Sequence, residues 1–526
     1  MKVVASLLAT AALAVGAGAA SAETLRWARS ADNLTMDPHS QNSGPTHVFN
    51  HQIYEPLIIR DVDGSLRPTL ATEWGISEDD DTVWEFTLRE GVVFHNGNDF
   101  TAEDVAFSIE RAQKPTSNMK ELVASIREVE VVDDHTVRFH TDGPDPILID
   151  KLTNLFMMDR EWAEENNATE PQNFDAGEEH FAARNANGTG PYVLQQRVPD
   201  SRNVATLFED YWGRDEFPLD ITEILYTPIT AAPTRVAALL SGEVDFVQDV
   251  PVQDIARLEQ TAGVRVTRGP ENRTIFLGMN VGDDQITHGT AEGNPFASRE
   301  VREAINMAVD REAIQQVVMR GESQPLGTLA PPFINGYQEW MGEYPEVDLD
   351  RALELMEEAG YGDGFQVTLH CPNDRYVNDE GICQAVVGML GRIDITTSLE
   401  SRSLSIHFPS ISNLETDFYL LGWGVPTFDS QYVFDFLYHC RRDGKGSWNA
   451  TRLCDDEIDA MIAEIAGEGD LDARNEKIAA VWERVQEGIY YIPIHVQTIA
   501  RAMGDHLDIP VHPENDFWAK DVAVNR

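Results

Sequence analysis

The residues with the most distinctive chemistry in this sequence are its four cysteines, because thiols can form disulfides, bind metal ions or act as nucleophiles. They lie in two close pairs, Cys371 with Cys383 and Cys440 with Cys454, and the second pair brackets a short segment rich in glycine, serine and asparagine. Four cysteines allow three sets of two bridges, and we predict that near neighbours pair. This pairing leaves no thiol for catalysis.

A zinc site is the alternative use of these cysteines, since His370 and His439 each stand next to one of them. The cysteines of structural zinc sites usually stand about two to four residues apart, and neither pair here has that spacing. We therefore predict no metal site and no cofactor.

Motifs of the common catalytic sites are missing from the sequence. It contains no G-x-S-x-G elbow, no Gly-Lys-Ser/Thr phosphate loop and no H-E-x-x-H helix. The sequence thus favours a protein that binds a molecule over an enzyme that converts one.

The N-terminus is typical of an exported protein. Lys2 precedes an apolar run from Val3 to about Val15, and Ala20-Ser21-Ala22 matches a cleavage site. We predict a signal peptide over residues 1–22 and a mature chain from Glu23, with no lipid anchor because no cysteine stands near the cleavage site. No later stretch has the roughly 20 apolar residues of a membrane span. The periplasm is the predicted location, and secretion into the medium is the alternative.

Length and charge narrow the possibilities further. A chain of 526 residues predicts two or three lobes, at roughly 100 to 200 residues for each domain. Its 89 acidic and 40 basic residues give a net charge of −49, which repels nucleic acid and anionic lipid surfaces. Because the acids are spread along the whole chain, we interpret them as a solvated surface, which would also suit high salt.

Strands and helices alternate along the sequence. Trp84, Phe86 and Leu88 fall on one side of an alternating segment, which predicts a half-buried strand. Thr101 and Asp104 have the spacing of a capping box, which predicts a helix from Ala102 to about Ala112.

Further helices follow at three places. Ser298 precedes one, Asp310 begins a second that Gly321 should end, and an amphipathic helix near the C-terminus should stop before Pro493. The apolar face of the last helix comprises Ile478, Val481, Trp482 and Val485. This mixture predicts an α/β or α+β fold.

A series of motifs along the mature chain resembles the extracytoplasmic solute-binding proteins of family 5, which serve dipeptide, oligopeptide and nickel importers. The motifs are Leu66 to Trp74, Trp84 to Arg89, Gly91 to His95, Phe100 to Val105, Gly188 to Tyr192, Tyr211-Trp212, Ala238 to Asp245, Val301 to Ile305 and Leu420 to Trp423. Their order covers essentially the whole mature chain.

The resemblance implies an α/β type II periplasmic-binding-protein fold whose two lobes close on a ligand by hinge motion. Lobe I would comprise residues 23–272 with 489–526, including an extra subdomain at about 60–185, and lobe II residues 273–488. The implied role is that of a monomeric periplasmic component of an ABC importer, which captures a small solute, most simply a peptide, and passes it to the permease in the inner membrane. The alternatives are a sugar, an opine, or nickel and metallophore as the solute.

A peptide site needs an acid for the ligand ammonium. In peptide-binding relatives an Asp shortly after a Gly-Trp pair takes this role, but here Trp423 is followed by Gly424, and no acid stands in the loop through Thr427. Asp429 is the nearest replacement; the alternative is that it is a turn residue. Trp423 would then line the cleft, with Gly424 and Thr427 in the adjoining loop.

The ligand carboxylate needs a cation. Arg375 is the first candidate, because in the family its loop approaches the cleft, and Arg402 is the second. Arginine is favoured because it can hold a carboxylate through two parallel hydrogen bonds. The alternative is that Arg375 pairs with Asp374 or Asp379.

Two further segments match loops that reach the ligand or the lobe crossover in relatives. They are predicted to offer backbone groups to the ligand and comprise Ser43-Gly44-Pro45 and, after Gly278, Met279-Asn280.

Overall fold

The computed structural model describes residues 23–77, 79–174, 176–442 and 444–525. The predicted signal peptide, residues 1–22, lies outside these ranges. None of the helices within them combines the length and apolar character that a bilayer crossing requires.

The described residues form strands and helices in alternation, which confirms the predicted mixed fold. The strands are β1 Glu23–Arg29, β2 Ile58–Arg60, β3 Leu66–Pro68, β4 Ala71–Ile76, β5 Val83–Leu88, β6 Ile126–Asp133, β7 Thr136–Thr141, β8 Tyr192–Val198, β9 Arg202–Leu207, β10 Ile221–Pro228, β11 Phe246–Val247, β12 Val264–Met279, β13 Ser323–Pro325, β14 Phe365–Pro372, β15 Ile395–Arg402, β16 Phe418–Gly424, β17 Tyr491–Gly504, β18 Leu507–Asp508 and β19 Ala523–Val524.

The α-helices vary from single turns to five turns. They are α1 Gly44–Asn50, α2 Ala102–Ala112, α3 Leu148–Lys151, α4 Arg160–Glu165, α5 Phe181–Arg184, α6 Ala232–Ser241, α7 Ile255–Glu259, α8 Arg299–Ala308, α9 Arg311–Ala313, α10 Leu349–Glu358, α11 Asp379–Leu390, α12 Leu404–Ser412, α13 Ser430–Val433, α14 Asp456–Ala466 and α15 Leu471–Gly488.

One large sheet runs through the molecule in the order β15-β14-β16-β12-β17-β11-β1-β10-β9-β8. Its two long central strands, β12 and β17, are antiparallel to each other. The parallel pair β14 and β15 lies on one side of them, and β1, parallel to β10 and β11, lies on the other. A separate sheet, β4-β5-β7-β6, is formed by residues of the predicted extra subdomain. The central pair therefore carries the chain between two groups of strands.

Several local predictions are confirmed. Trp84, Phe86 and Leu88 of β5 are buried. Helix α2 begins after Thr101, whose backbone N–H donates to the Asp104 carboxylate over 2.9 Å. Ser298 caps α8 by accepting from the backbone N–H of Val301.

One helix predicted from the sequence changes its type before its end, and for another the stop signal is corrected. The helix that begins after Asp310 changes from α9 into a π-helical segment, Ile314–Val318, before the left-handed Gly321. Helix α15 ends at Gly488, where Ile489 adopts a left-handed conformation with φ 49°. Pro493 does not stop this helix, because it already lies within β17.

The cysteines pair as near neighbours. Cys371 is bonded to Cys383 and Cys440 to Cys454, with S–S distances of 2.00 and 2.16 Å. This matches the predicted pairing and leaves no free thiol among the described residues.

Candidate ligand-binding site

A cavity of about 90 Å³ lies where four parts of the chain meet: the start of α1, the middle of β12, the end of β16 and the segment after β18. Its lining divides into two arginines, two carboxylates, an aromatic wall and several backbone segments. A second cavity, of about 230 Å³, shares Arg375 with the first. Arg375 therefore stands between two spaces that a solute could enter.

A break in strand pairing brings part of β12 to the cavity. The register of β12 with β17 shifts between Pro270 and Thr274, so that Glu271, Asn272 and Arg273 leave the regular ladder. Bulges of this kind re-aim side chains. Asn272 and Arg273 consequently line the cavity.

Arg375 is the cation with the least protein partnership in the site. Within the described residues its guanidinium makes no ion pair, and its Nε is buried without a hydrogen-bond partner. Burial, together with the nearby Arg273, lowers the pKa of Arg375 to about 10. At neutral pH the group remains charged, so its side chain is poised to hold an anion.

Arg273 reinforces this positive end. Its Nε donates to Glu271 over 2.9 Å, and its Cζ lies 5.9 Å from the centre of the Tyr376 ring, which is 5.0 Å from the Cζ of Arg375. A Cβ atom placed on Gly44 would lie 3.6 Å from Nη2 of Arg375 and 3.9 Å from Nη2 of Arg273. The two guanidinium groups thus converge on the chain at the start of α1.

Two carboxylates, Glu514 and Asp516, also line the cavity. Glu514 accepts one long hydrogen bond, 3.4 Å from Nδ2 of Asn154, whereas the nearest basic nitrogen to the Asp516 carboxylate, Nε2 of His51, lies 3.8 Å away. Burial raises the pKa of Asp516 to about 7, and burial together with Asp516 holds the pKa of Glu514 well above its usual range. These acids are poorly compensated by protein groups.

Their neighbour His512 raises the question of a metal site, since the three side chains offer ligand atoms within 4.8 Å of one another. However, Nε2 of His512 bonds to the carbonyl of Arg60 over 3.0 Å, and Nδ1 accepts from the backbone N–H of Glu514 over 3.1 Å. Both ring nitrogens are therefore engaged, and His512 has no lone pair to give to a metal. The other cluster in the described chain, Cys440 with Asp456 and Asp459, contains a disulfide sulfur in place of a thiolate.

Aromatic rings form one wall of the cavity. The Trp423 ring lies 5.8 Å from Tyr432 and 5.6 Å from Trp448, and Trp448 lies 5.1 Å from Phe408. Such a wall suits an apolar side chain or the methylene groups of a ligand.

Besides Nε of Arg375, three buried polar atoms of residues on the cavity lining have no hydrogen-bond partner in the described chain: Oγ of Ser43, Oδ1 of Asn272 and Nε1 of Trp423. A buried polar group without a partner costs free energy. One acceptor, one donor and one hydroxyl are thus free for a polar ligand.

Five residues predicted from the sequence line this cavity: Ser43, Gly44, Arg375, Trp423 and Gly424. Arg375 does not pair with either neighbouring acid, because the Asp374 carboxylate accepts from the backbone N–H of Leu404 and that of Asp379 from the backbone N–H groups of Arg375 and Tyr376.

The other predicted residues lie outside the cavity lining. Pro45 is in the first turn of α1 and Met279 is in the apolar core. Asn280 donates to the Asp417 carboxylate, Thr427 donates to the backbone oxygen of Asp429, and Arg402 binds Glu400 and Ser410.

Asp429 requires a correction as an ammonium partner. Its two oxygens accept hydrogen bonds of 2.6 and 2.8 Å from Arg474, and it caps the start of α13. Since both oxygens are bound by a buried guanidinium, this carboxylate is committed to internal packing.

Sequence reasoning missed Arg273, Glu514 and Asp516. Arg273 depends on the irregular register of β12, and the two acids are among 89 in the chain, so nothing in the local sequence singles them out. Only the fold brings them beside Arg375 and Trp423.

Comparison with known proteins places this geometry in context. The model of the bacterial extracellular solute-binding proteins, family 5, matches residues 65–445. The glutathione-binding protein GsiB of Salmonella typhimurium is 25% identical over 503 residues, which cover 93% of this chain and 92% of that protein.

Solved structures share the fold. A dipeptide-binding protein of Pseudoalteromonas sp. SM9913 in complex with Met-Leu has a TM-score of 0.85 at 22% identity, covering 95% of this chain and 100% of that one. The binding protein AgaA of A. tumefaciens R10, in complex with agropinic acid, has a TM-score of 0.84 at 22% identity, covering 96% and 99%. These likenesses confirm the predicted type II periplasmic-binding fold.

Proposed function

The chain belongs to family 5 of the bacterial extracellular solute-binding proteins, and we propose that the solute it delivers to its ABC importer is a short peptide. As a member of this family the protein binds and hands over a solute and is not an enzyme. We further propose that residues 1–22 direct export to the periplasm, that the mature monomer closes lobe I, 23–272 with 489–526, on lobe II, 273–488, and that an inner-membrane permease receives the solute.

The observation that carries the peptide proposal is the guanidinium of Arg375, which has no ion pair with any residue that the structure describes. Arg375 is partly buried, and a cation withdrawn from water without a counter-ion is costly. A peptide carboxylate would supply the missing charge through two hydrogen bonds. Arg273, which also lines the cavity, is already paired with Glu271, so Arg375 is the arginine of this lining that has no ion pair within the described residues. A neutral sugar would leave this charge uncompensated.

The remaining lining suits the rest of a peptide. The aromatic wall around Trp423 can cover an apolar side chain, while Oδ1 of Asn272 can accept from a ligand N–H. Relatives and structural neighbours are named for glutathione, dipeptides and longer peptides, which supports the same class of ligand.

An opine is the second candidate, because no acid stands at the position after Trp423 that peptide-binding relatives use and because AgaA was solved with agropinic acid. An opine carboxylate would meet Arg375 equally well. Binding assays with glutathione, Met-Leu and agropinic acid distinguish peptides from opines.

The test has two stages. Mass spectrometry of small molecules released from the denatured, natively exported protein should identify peptides. The refolded protein should then bind glutathione or Met-Leu in isothermal titration calorimetry, and Arg375→Gln should weaken that binding at least about 30-fold, as expected from roughly 2 kcal/mol of lost charge-assisted hydrogen bonding.

Circular dichroism and thermal melting of Arg375→Gln serve as the control for folding. Binding of agropinic acid, with no binding of either peptide, would transfer the assignment to opines. Peptide binding that is indifferent to Arg375→Gln would overturn the site.

A further inference from the structure

Glu514 and Asp516 are the feature of the cavity that the peptide proposal has not yet used. They follow β18 in the C-terminal segment, whereas Arg375 follows β14, so that the positive and negative ends of the site come from different predicted lobes. The aromatic wall lines the same cavity, as do Ser43, Asn272 and Trp423, each with a polar atom that has no partner in the described chain. The site therefore presents both signs of charge to one small space.

We propose that Glu514 and Asp516 form the subsite for a primary ammonium group, so that the solute is a zwitterion with a free amino group, and that capture of the ammonium displaces one proton from this pair of carboxyls to solvent. This inference rests on the proposed capture of a peptide and assigns its N-terminus. It replaces Asp429, which is bound by Arg474.

The charged groups around the pair show why it is short of positive charge. Five of them act on the two carboxyls: Arg29, Arg60, Arg273, Arg501 and Glu271. Two histidines, His51 and His512, also lie beside the pair. Three of these arginines already have carboxylate partners, since Arg29 binds Asp249, Arg60 binds Asp150 and Arg273 binds Glu271.

Arg501 is the remaining cation. It donates to the backbone oxygens of Pro510 and Asp516 and to the side chain of Asn515. His51 and His512 add no charge, because burial lowers their pKa values to about 3 and about 4. Of the four arginines around the two carboxyls, Arg501 is thus the one without an ion pair to another acid among the described residues.

This shortage of positive charge explains why the pair of carboxyls would retain one proton in the absence of ligand. The carboxyl oxygens of the pair lie within 4.8 Å of each other, with Asp516 buried and Glu514 partly buried. Two carboxyl groups in such a position do not both ionise when one of them lacks a counter-charge. Accordingly, the pKa of Asp516 is raised to about 7, with burial as the main cause, and burial together with Asp516 holds the pKa of Glu514 well above its usual range. A ligand ammonium would supply the second positive charge, and the shared proton would leave for the buffer.

A second observation places a ligand beside the acids. Asn272 is 1% exposed, and its Oδ1 has no partner in the described chain, while its Nδ2 donates to the carbonyl of Val425. That hydrogen bond fixes the amide so that its free atom is an acceptor. An ammonium has three donors to distribute, and Glu514, Asp516 and Asn272 offer three acceptors on the same cavity.

The experiment uses the full exported chain and whichever of Met-Leu and glutathione binds to it. Calorimetric titrations are run at pH 7 in phosphate and in imidazole, whose ionisation enthalpies differ. The difference between the two binding enthalpies should correspond to the release of between about 0.5 and 1 proton for each peptide bound. The N-acetylated form of the same peptide should bind at least about 30-fold more weakly and release no proton, as expected for loss of about 2 kcal/mol of charge pairing.

Two isosteric variants test the residues themselves. Glu514→Gln and Asp516→Asn should each weaken binding of the free peptide at least tenfold and abolish proton release. Each should also reduce the ratio of the affinity for the free peptide to the affinity for the acetylated peptide. Glu322 is a partly buried acid that pairs with Arg268 and lines neither of the two cavities, so Glu322→Gln is the matched control and should change none of these quantities.

The outcomes separate the two proposals. If neither peptide binds to the wild-type protein, the peptide proposal itself fails. If free and acetylated peptides bind equally, or if binding releases no proton, peptide capture stands and the ammonium subsite is refuted; the acetylated ligand keeps this test valid even if a variant fails to fold.

Discussion

Two arginines of this protein, Arg474 and Arg375, differ in whether the fold supplies a counter-ion for the guanidinium group. Arg474 is 2% exposed and gives two hydrogen bonds to Asp429 and a third to Gln431. Arg375 lines the cavity and gives its guanidinium no ion pair within the described residues. Arg474 belongs to a closed ion pair that connects α13 with α15. Arg375 is positioned by the fold on the cavity, and its charge has no counter-ion among the described residues.

The difference indicates how this protein separates stability from recognition. A closed pair stabilises one arrangement of the chain, because removing either partner leaves a buried charge alone. An unpaired charge costs stability until a partner arrives from outside, and the relief of that cost becomes part of the binding free energy. Satisfaction of charge, more than residue type, therefore distinguishes structural from ligand-binding arginines here.

The largest expected effect is on the closed pair. Arg474→Leu should lower the free energy of unfolding by about 3 to 5 kcal/mol, because it leaves Asp429 buried without its partner. Urea unfolding followed by circular dichroism measures this change. Arg375→Leu should leave the stability of the ligand-free protein unchanged or slightly higher, since it removes an uncompensated charge.

A double-mutant cycle provides the control. Adding Asp429→Asn to Arg474→Leu should recover part of the lost stability, because the stranded carboxylate is then neutral. If Arg375→Leu instead destabilised the protein as much as Arg474→Leu, the distinction between the two arginines would be lost.

A second closed pair gives a pH-dependent prediction. Arg111 binds both oxygens of Asp37 over 2.7 Å, with both side chains fully buried. Burial acts to raise the pKa of Asp37, but the charge and hydrogen bonds of Arg111 outweigh this effect and lower the pKa to about 2. A depressed folded-state pKa contributes stability above the unfolded-state value, near 4, and loses it as the pH falls toward 2.

We therefore expect Asp37 to account for about 2 to 3 kcal/mol of acid-induced loss between roughly pH 5 and pH 2. Urea unfolding of wild type and Asp37→Asn across this range measures it, and the variant should show a flatter profile from a lower starting stability. Parallel profiles for the two proteins would show that the pair carries no such linkage.

Particular residues show what the sequence could and could not predict. The alternation around Phe86 and the capping box of Thr101 and Asp104 are local signals, and both predicted elements are present. The end of α15 was misplaced, because the chain turns at a left-handed Ile489, a conformation that β-branched residues rarely adopt. Pro493, the expected stop signal, is instead accommodated in β17.

The site divides in the same way. Arg375 and Trp423, which were predicted because their segments resemble those of a known family, line the cavity. Asp429 was misjudged because its partner, Arg474, is 45 residues away in sequence, and Glu514 and Asp516 were missed because only tertiary packing brings them to the cavity. Pairing of buried charges is a property of the fold, so sequence alone could not tell a committed acid from a free one.

The smallest expected effect concerns Arg402, which the sequence offered as a second carboxylate partner. Arg402 binds the Glu400 carboxylate over 2.6 and 3.0 Å and the hydroxyl of Ser410 over 2.9 Å, and it does not line the cavity. Because the donors of Arg402 are already bound to protein groups, Arg402→Gln should change peptide affinity by less than about twofold. Loss of the exposed ion pair with Glu400 should also change the stability of the protein little. Calorimetric titration beside Arg375→Gln measures both; a loss in Arg402→Gln as large as in Arg375→Gln would mean that a paired arginine can serve the ligand after all, and that charge satisfaction does not identify the site.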